Sequence, residues 1–474
     1  MRPSLQFDAA LQIIAALRDA GHEAYLAGGC VRDLLLGREP HDYDVATSAT
    51  PDVVLDLFPR TFAVGAHFGV VLVATCGGAD AADVAEEESP RVTTEVATFR
   101  SDGAYSDGRH PDAVRYTKSA EEDVRRRDFT INGLLLDPSR LPDSFSSTPQ
   151  KTSAVHEGLR VGLIDHAGGI ADLEAGIVRA IGQPDERFEE DHLRMLRAVR
   201  FAARFGFEIE PATSAAIRRL SAKTKAVSRE RVRDELTKML TEGHARRAFE
   251  LLDETGLLAE ALPEVACMKG VEQPPQYHPE GDVWLHTLGL LDQLEAGCPL
   301  TLAWGALLHD VGKPATFRRA ERIRFDGHVD VGVAIAADFC RRFRFSNDES
   351  SQILSLIENH MRFADAQRMK ASTLKRFFRL PEFPQHLALH RMDCMAGSGN
   401  LDHWEFVREH YESMPAELVR PTPLITGREL IAAGYQPGAG FKVMLRAVED
   451  AQLEGTIATE AEALTLLRDR FPLT

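Results

Sequence analysis

The stretch LAGGCVRDLLLG (26–37), followed closely by HDYDVAT (41–47), decides the fold of the N-terminal region. The first stretch reads as the end of a buried strand, a tight turn at Gly28 and Gly29, and the start of a helix. This order places free backbone N–H groups and the positive end of a helix where a phosphate can bind. Arg32, one turn into the helix, can reach the same phosphate. Alone, the turn is equally consistent with a purely structural role.

Two aspartates follow this turn. Asp42 and Asp44 are two residues apart, so in a strand their side chains would lie on the same face. Two carboxylates on one face repel each other unless a cation lies between them, and Mg²⁺ prefers such oxygen ligands. Glu95, in the predicted strand TTEVATFR (93–100), can add a third carboxylate. Each feature alone is also typical of solvated acidic residues, but together they predict a phosphate and Mg²⁺ site.

Working outward, the sequence predicts an α+β head followed by an all-helical remainder. AYLAGGC (24–30), GVVLVAT (69–75) and TTEVATFR read as strands, and helical periodicity dominates from about residue 185. Segments 76–90 and 138–158 are predicted surface loops, and the proline-rich segment 271–282 is a predicted break. For 474 residues we expect several domains. The predicted boundaries are 1–160, 161–270, 271–400 and 401–474.

Composition is that of an ordinary globular protein, with 44% hydrophobic and 27% charged residues. No predicted bilayer-spanning segment or signal peptide is present, so we expect a cytoplasmic protein without a membrane partner. The six cysteines are scattered and predict no disulfide framework. The net charge of −17 argues mildly against a nucleic-acid partner. However, residues 187–204 form a local basic stretch, and the distribution of charge matters more than its sum.

Six motifs in order resemble the polymerase-β-like nucleotidyltransferases, and more narrowly the bacterial class II CCA-adding enzymes and poly(A) polymerases. They are LAGGCVRDLLLG, HDYDVAT, EVATFRSDGAYSDGRHP, EEDVRRRDFTING, GGIADLEAGIVRAIGQPDERFEEDHLRMLRAVRFAARFGF and VSRERVRDEL. The resemblance covers residues 20–245 closely and continues more weakly to the C-terminus. It implies a nucleotidyltransferase head with a mixed sheet, a helical neck, tRNA, ATP and CTP as partners, and Mg²⁺ as cofactor. It leaves the oligomeric state open.

The resemblance also implies roles for individual residues. Catalysis and Mg²⁺ binding would depend on Asp42 and Asp44, with Glu95 as a third carboxylate. The nucleotide-binding set would be Gly28, Gly29, Arg32, Arg127, Asp128, Asn132, Glu190, Asp191, Arg194, Arg197 and Arg200. In this set Gly29 and Arg32 would contact the triphosphate, and Arg127 and Asp128 the ribose.

Asp191 and Arg194 would select the base in this family. Three residues apart, they are predicted to share a helix face. A carboxylate accepts from the exocyclic amine of cytosine or adenine, and a guanidinium donates to the adjacent ring nitrogen. Uracil and guanine present a carbonyl and a ring N–H there, so both contacts become unfavourable. Glu190 would orient the pair, while Arg197 and Arg200 would meet phosphates.

The segment RSDGAYSDGRHP (100–111) matches the flexible loop of the family, with Asp107, Gly108 and Arg109 retained. Enzymes that add only cytidines are altered here, so the resemblance implies AMP addition. The segment FPRTFAVGAHFGVVLV (58–73) resembles the CCA-adding pattern and lacks the doubled basic signature of poly(A) polymerases. These motifs are shared by CCA-adding and A-adding enzymes, so this choice stays open.

Histidines at particular spacings mark a second candidate site near the C-terminus. The residues are His286, His309, Asp310, His328, His360 and Asp393. An adjacent His-Asp pair with further histidines and a late aspartate is a ligand set for divalent metals. The order resembles the HD phosphohydrolases, which implies a possible transition-metal site for Ni²⁺, Mn²⁺ or Co²⁺. Lys313 could bind a phosphate there. The alternative is a degenerate HD bundle retained for tRNA docking.

Three functions therefore compete. The first is nucleotide addition to the 3′ end of tRNA. The second is hydrolysis of phosphoesters by the HD region as the main activity. The third is an RNA-binding regulator with an inactive head, against which the intact Asp42, Asp44, Asp191 and Arg194 argue.

Overall fold

The computed structural model describes residues 5–62, 69–76, 91–103, 114–141 and 158–473. Contacts group the chain into two compact units. The first unit comprises Met1–Leu236 with Arg247–Ala261, and the second comprises Thr237–Arg246 with Leu262–Thr474. The predicted division into four domains stays a prediction.

The first unit mixes strands with helices, as predicted. Its strands are β1 (Ala24–Ala27), β2 (Val45–Thr47), β3 (Thr61–Phe62), β4 (Val70–Cys76), β5 (Arg91–Thr98), β6 (Arg100–Asp102), β7 (Val114–Tyr116), β8 (Leu134–Leu136), β9 (Leu163–Asp165), β10 (Ile177–Val178) and β11 (Glu208–Ile209).

Among the described residues, seven of these strands form one mixed sheet in the order β3-β4-β5-β2-β1-β8-β9. Strands β2 and β5 run parallel, and the other neighbours run antiparallel. The central strands β1, β2 and β8 are short, apolar and largely buried. Such continuous apolar runs are typical of strands covered on both faces. Strand β9 lies beyond residue 160, so the sheet extends past the predicted end of the head.

The first helices pack against this sheet, and further helices follow as far as residue 261. They are α1 (Leu5–Asp19), α2 (Gly29–Leu35), α3 (Pro51–Leu57), α4 (Ala120–Arg125), α5 (Gly169–Ala175), α6 (Pro184–Glu190), α7 (Leu193–Phe205), α8 (Pro211–Leu220), α9 (Arg229–Thr241), α10 (Ala245–Glu254) and α11 (Leu257–Ala261). A buried cluster that includes Ala46, Phe99 and Leu135 joins strands to α4.

The rest of the second unit is almost entirely helical, which confirms the predicted fold class. Its helices are α12 (Pro263–Ala266), α13 (Val283–Leu291), α14 (Leu300–Leu308), α15 (Lys313–Thr316), α16 (His328–Arg342), α17 (Asn347–Asn359), α18 (Ala371–Phe377), α19 (Phe383–Ala396), α20 (Asp402–Ser413), α21 (Ala416–Val419), α22 (Gly427–Ala432), α23 (Gly440–Leu453) and α24 (Glu460–Arg470). One short hairpin, β12 (Arg318–Arg319) with β13 (Ile323–Arg324), lies between α15 and α16.

The predicted break at 271–282 is a non-helical segment that folds back on itself, and we call it the strap. Gln273 N donates to Gly281 O at 3.0 Å, and Val283 N donates to Val271 O at 3.0 Å. An antiparallel bridge joins residues 272 and 282. These bonds hold the two arms of the strap together just before α13 begins.

A search of the described helices for a membrane span finds none with both the length and the apolar character to cross a bilayer.

Candidate active site and metal centre

Three predicted carboxylates lie near the start of β2, where it runs beside the middle of β5. The register of these strands pairs Val45 with Val96. Asp44 and Glu95 each come one residue before these valines, so they lie beside each other. The two aspartates lie just before β2 and not inside the strand that the same-face argument assumed. Asp42 is exposed and Asp44 is half-buried. Burial still alternates along this segment, because Tyr43 is buried between the two aspartates.

The electrostatics of Asp44 show that these carboxylates affect one another. Burial and the nearby Glu95 charge raise the pKa of Asp44 to about 6, with a smaller contribution in the same direction from Asp42, while Arg127 acts against this rise. A cation among these groups would remove the repulsion. Clustered carboxylate oxygens are the ligands of a hard divalent ion. The residues present therefore fit the predicted metal.

The Gly-Gly turn brings two guanidinium groups to one place. Gly28 has φ of 72°, a left-handed conformation that favours glycine, and a Cβ there would lie 3.0 Å from Arg127 Nη1. A Cβ on Gly29 would lie 3.6 Å from Arg32 Nη2. Arg32 is buried, donates to Asp33 Oδ1 at 2.9 Å, and also hydrogen-bonds Asn132 Oδ1. Both arginines thus flank the turn predicted to hold phosphates.

The RRRDFTIN segment forms a network of charges beside this turn. Asp128 accepts from Arg197 Nη2 at 2.6 Å and from Asn132 Nδ2 at 3.0 Å. Burial alone would raise the pKa of Asp128, but the Arg197 charge and the Asn132 hydrogen bond lower it to about 2. Arg127 is in turn held by Asp123, with Nη2 3.0 Å from Oδ2. Asp128 is therefore ionised, and hydrogen bonds hold both members of the predicted ribose-binding pair in position.

The predicted shared helix face for Asp191 and Arg194 is wrong. Asp191 ends α6 with an extended backbone, and α7 starts at Leu193. The Asp191 side chain accepts from Leu193 N at 3.0 Å. An aspartate that bonds a nearby backbone N–H competes with the continuous helix and starts a new one. Asp191 therefore lies in a break, and Arg194 lies in the first turn of α7.

Both members of this pair are held by neighbours. Arg194 Nη1 donates to Glu190 Oε2 at 2.6 Å, and Nη2 donates to Arg126 O at 3.1 Å. The orienting role of Glu190 stays a prediction. Arg231 on α9 donates to Asp191 Oδ2 at 2.8 Å. Because these bonds limit the movement of both polar groups, the pair is suited to select by hydrogen bonding.

Arg197 and Arg200 have different surroundings. Arg197 pairs with Asp128 and remains one-third exposed. The side chain of Arg200 is only 7% exposed, and its Nε donates to Glu235 Oε2 at 2.7 Å. In this structure Arg200 joins α7 to α9 and does not face an open phosphate site. Its predicted phosphate contact has no support in this arrangement.

Asp107, Gly108 and Arg109 lie outside the described residues, so the predicted flexible loop stays a prediction. Most of the predicted loops 76–90 and 138–158 also lies outside the described residues.

The second unit brings all six predicted HD residues together. One group contains His286, His309 and Asp393, and the other contains Asp310, His328 and His360. Within each group the ligand atoms all lie within 4.8 Å of one another. These elements are distant in sequence, so the helical bundle of α13, α14, α16, α17 and α19 assembles the site.

The orientation of the imidazoles fits a metal. In His309, His328 and His360 the Nδ1 atom lies 2.7 to 2.9 Å from a carbonyl oxygen of its own helix or loop. This bond places the proton on Nδ1 and leaves Nε2 as a ligand. The Nε2 atoms of His328 and His360 each lie 3.8 Å from Asp310 Oδ1 and make no hydrogen bond. A separation of this size suits two ligand atoms that each bind the same metal ion at about 2 Å.

The charged partners of this centre are also buried. Lys313 Nζ lies 2.6 Å from Asp310 Oδ2. Burial would raise the pKa of Asp310, but the His309 and Lys313 charges hold it well below the usual range. His286 lies between Asp393 and Glu280, whose hydrogen bonds raise its pKa to about 9 against the effect of burial. The site thus concentrates imidazole and carboxylate ligands, most of which are buried.

Several residues that hold the site residues in place were not predicted from the sequence. Arg231 holds Asp191, Asp123 holds Arg127, and Glu280 lies 2.7 Å from His286 Nδ1. Arg231 is part of the motif VSRERVRDEL, and Glu280 is part of the segment that precedes His286. Their positions close to predicted site residues or motifs were a signal in the sequence. That signal could not identify the partner of each residue, because the partner depends on the fold.

Comparisons with known proteins cover most of the chain. Residues 24–179 match the poly A polymerase head domain, residues 206–268 a probable RNA and SrmB-binding site of polymerase A, and residues 283–393 the HD domain. Nucleotidyltransferase and HD domains of these types are generally metal-dependent.

Individual relatives agree with these matches. A CCA-adding enzyme of Geobacillus stearothermophilus is 31% identical over 463 residues, which are 97% of this chain and 95% of that enzyme. A CCA-adding enzyme of Lactobacillus helveticus is 38% identical over 267 residues, 56% of this chain and 58% of that enzyme. The alignment thus spans little more than half the length of some relatives. The crystal structure of the Bacillus stearothermophilus CCA-adding enzyme in complex with CTP matches with a TM-score of 0.70 and 27% identity, covering 99% of this chain and 98% of that one.

Proposed function

The chain belongs to the family of CCA-adding enzymes, and we propose that it adds nucleotides from CTP and ATP to the 3′ end of tRNA without a nucleic-acid template. The observation that supports this most is the location of Asp42, Asp44 and Glu95 on the same unit as the Gly-Gly turn and the Asp191–Arg194 pair. Because tRNA and nucleoside triphosphates are the proposed substrates, we assign the activity to the cytoplasm.

The reaction joins the tRNA 3′-hydroxyl oxygen to the α-phosphorus of the nucleotide and releases pyrophosphate. Mg²⁺ held by Asp42 and Asp44 would make the hydroxyl more acidic and neutralise the triphosphate. Arg32 and Arg127, on either side of the turn, would bind the triphosphate oxygens. Asp128 is ionised and would accept from a ribose hydroxyl.

The incoming base would be selected by Asp191 and Arg194. The Asp191 carboxylate accepts from the exocyclic amine that cytosine and adenine share, and the Arg194 guanidinium donates to their unprotonated ring nitrogen. Uracil and guanine carry a carbonyl in place of the amine and an N–H in place of the unprotonated ring nitrogen, so both contacts become unfavourable. Because Arg231 and Glu190 hold the two side chains, a wrong base would leave polar groups unpaired, which carries a large penalty in a closed site.

One experiment separates full CCA addition from addition of the terminal A alone. Purified protein is given tRNA that lacks CCA, or tRNA that ends in CC, with CTP and ATP supplied singly and together. We expect CMP addition to the first tRNA and AMP addition to the second. AMP addition without any CMP addition would identify an A-adding enzyme, and long adenosine tails would identify a poly(A) polymerase.

A second activity is supported by the HD centre. We propose that it hydrolyses a phosphoester, in which water attacks phosphorus, the ester P–O bond breaks, and the proton passes to the leaving oxygen. The observation that favours this is the convergence of buried Nε2 atoms on Asp310 without hydrogen bonds of their own. Ni²⁺, Mn²⁺ or Co²⁺ would suit these imidazoles. The test measures, with each metal, phosphate release from a small phosphomonoester and ring opening of a 2′,3′-cyclic phosphate to its phosphomonoester.

A further inference from the structure

The strap contributes a buried amide to the HD centre that none of the predicted ligands accounts for. Gln273 is only 1% exposed. Its Oε1 accepts a hydrogen bond from Lys313 Nζ at 2.6 Å, and the same ammonium lies 2.6 Å from Asp310 Oδ2. Gln273 is therefore connected through one lysine to a member of the metal-binding group.

The orientation of the Gln273 amide follows from its partner. A lysine ammonium has donors and no acceptor, so the oxygen of the amide must face it. The amide nitrogen is then the free end, and Gln273 Nε2 has no hydrogen-bond partner although it is buried. The oxygen and nitrogen share one carbon, with bonds of about 1.23 and 1.33 Å, so Nε2 lies within about 5 Å of Lys313 Nζ.

A buried N–H₂ without a partner is unfavourable, because its hydrogen bonds to water are lost and not replaced. The strap nevertheless holds Gln273 firmly, because its backbone N–H bonds Gly281 O across the strap. The other arm of the strap carries Glu280, whose Oε1 lies 2.7 Å from His286 Nδ1. The strap is thus attached to both ligand groups of the centre, through Lys313 and through Glu280, and this holds the unpaired amide beside Lys313.

We propose that Gln273 is a substrate-binding residue of the HD centre, and that its amide donates to a phosphoryl oxygen beside Lys313. This inference rests on the proposed hydrolytic activity of the second unit. A phosphoryl group offers several acceptors, so one oxygen can accept from Lys313 and another from Gln273. Because the amide is neutral, it adds a hydrogen-bond donor without adding another charge beside Lys313 and Asp310.

The test compares Gln273→Met with Gln352→Met. Gln352 is a matched control because it is also buried with an unpartnered amide nitrogen. It lies eight residues before His360, about 12 Å along the helix axis. For each protein loaded with Mn²⁺, three quantities are measured: bound metal, the dissociation constant of inorganic phosphate, and kcat and KM for a small phosphoester.

We expect Gln273→Met to keep its metal and to bind phosphate about tenfold or more weakly, with a higher KM and normal nucleotide addition to tRNA. Gln273→Glu, which keeps an acceptor for Lys313 but has no donor and adds a negative charge, should bind phosphate still more weakly. Gln352→Met should match the wild type in phosphate affinity.

Two results would overturn the inference: unchanged phosphate affinity in Gln273→Met, or loss of metal from it, which would mean a structural role. If the wild type binds metal and phosphate but hydrolyses no ester, the hydrolytic proposal fails while the phosphate constants still decide on Gln273. If the wild type takes up neither metal nor phosphate, both proposals fail together.

Discussion

Asp44 illustrates how a single residue can be unfavourable for the folded protein and necessary for its chemistry. Burial and the Glu95 charge raise its pKa to about 6, so the ionised carboxylate is destabilised near neutral pH. Placing Asp44 beside Glu95 therefore has an electrostatic cost that a bound cation would offset. Arg127 opposes this rise only in part, so the repulsion that remains favours a bound cation at this site.

We predict that Asp42→Ala and Asp44→Ala each reduce nucleotide addition by at least a thousandfold and leave tRNA binding nearly unchanged. The reason is that loss of a metal ligand removes several kcal/mol of transition-state stabilisation. Single-turnover addition and tRNA binding by filter retention are the measurements. Asp52→Asn, an exposed carboxylate in the first turn of α3, is the control. Nucleotide addition near the wild-type rate in either alanine variant would contradict the assignment of that aspartate as a catalytic metal ligand.

The Asp128–Arg197 pair gives a prediction on pH. The pKa of Asp128 in the folded protein, about 2, is below the unfolded value near 3.9, so the folded state favours the ionised form. Its contribution to stability is thus complete above about pH 4 and is lost as the pH falls toward 2. Asp128→Asn should cost about 2–3 kcal/mol at pH 7 because it leaves Arg197 partly buried and unpaired.

The control for this prediction is Asp185→Asn. Asp185 also pairs with an arginine, Arg219, at 2.6 Å, but both side chains are half exposed or more. Exposed pairs contribute little, typically below 1 kcal/mol. Urea unfolding of the first unit's transition at pH 7 and at pH 3 distinguishes the two variants. An equal loss in both, or a loss for Asp128→Asn that does not shrink at low pH, would contradict the argument.

At the scale of elements, the break between α6 and α7 decides how the base-selecting pair is presented. Asp191 projects from the break, and Arg231 reaches it from α9. Three elements therefore define one hydrogen-bonding edge. If the helix continued through Asp191, the side chain of Asp191 would lie on the helix surface and would be less well placed to bind a base.

We predict that Arg194→Ala relaxes base choice by about tenfold to a hundredfold, since a lost hydrogen bond to a charged group is worth about 1.5–3 kcal/mol. Arg231→Met should relax it less, because Asp191 is retained but less constrained. Incorporation of UMP and GMP relative to CMP and AMP is measured with saturating tRNA. Arg233→Met, on the same helix as Arg231 and paired with Asp234, is the control. Unchanged selectivity in Arg194→Ala would exclude it from base selection.

The elements also show what the sequence can and cannot predict. Strong patterns such as GVVLVAT and TTEVATFR identified β4 and β5, and the helical second unit is confirmed. The break at Asp191 was missed because apolar periodicity continues through 184–205 on both sides of it. Contacts such as Gln273 with Lys313, forty residues apart, were missed because only the folded strap creates them.

For the whole molecule, the net charge of −17 is compatible with binding RNA because arginines gather locally. Arg32, Arg127 and Arg197 belong to the same unit and are linked through Asp128 and Asn132. A local cationic group can bind phosphates on a protein that is acidic overall. Binding of tRNA should therefore weaken with rising salt, as expected when counterions are released.

The two candidate metal sites differ in their ligands, and this difference predicts that the two activities can be separated. The first unit offers carboxylates, which prefer Mg²⁺, whereas the second offers four imidazoles and two aspartates, which prefer transition metals. Nucleotide addition should therefore proceed with Mg²⁺ alone. Phosphate release from an ester should require Ni²⁺, Mn²⁺ or Co²⁺.

Mutation should separate the activities in the same way, because each set of ligands lies within its own unit. Asp310→Ala should abolish ester hydrolysis and lower bound transition metal while nucleotide addition stays within about twofold of the wild type. Asp42→Ala should do the reverse, since Asp42 makes no contribution to the HD ligands. Both reactions and the metal content are measured on the same preparations. Loss of both activities in Asp310→Ala, with a folded protein by circular dichroism, would mean that the two sites are coupled. Absence of hydrolysis and of bound metal in the wild type would reduce the HD bundle to a scaffold.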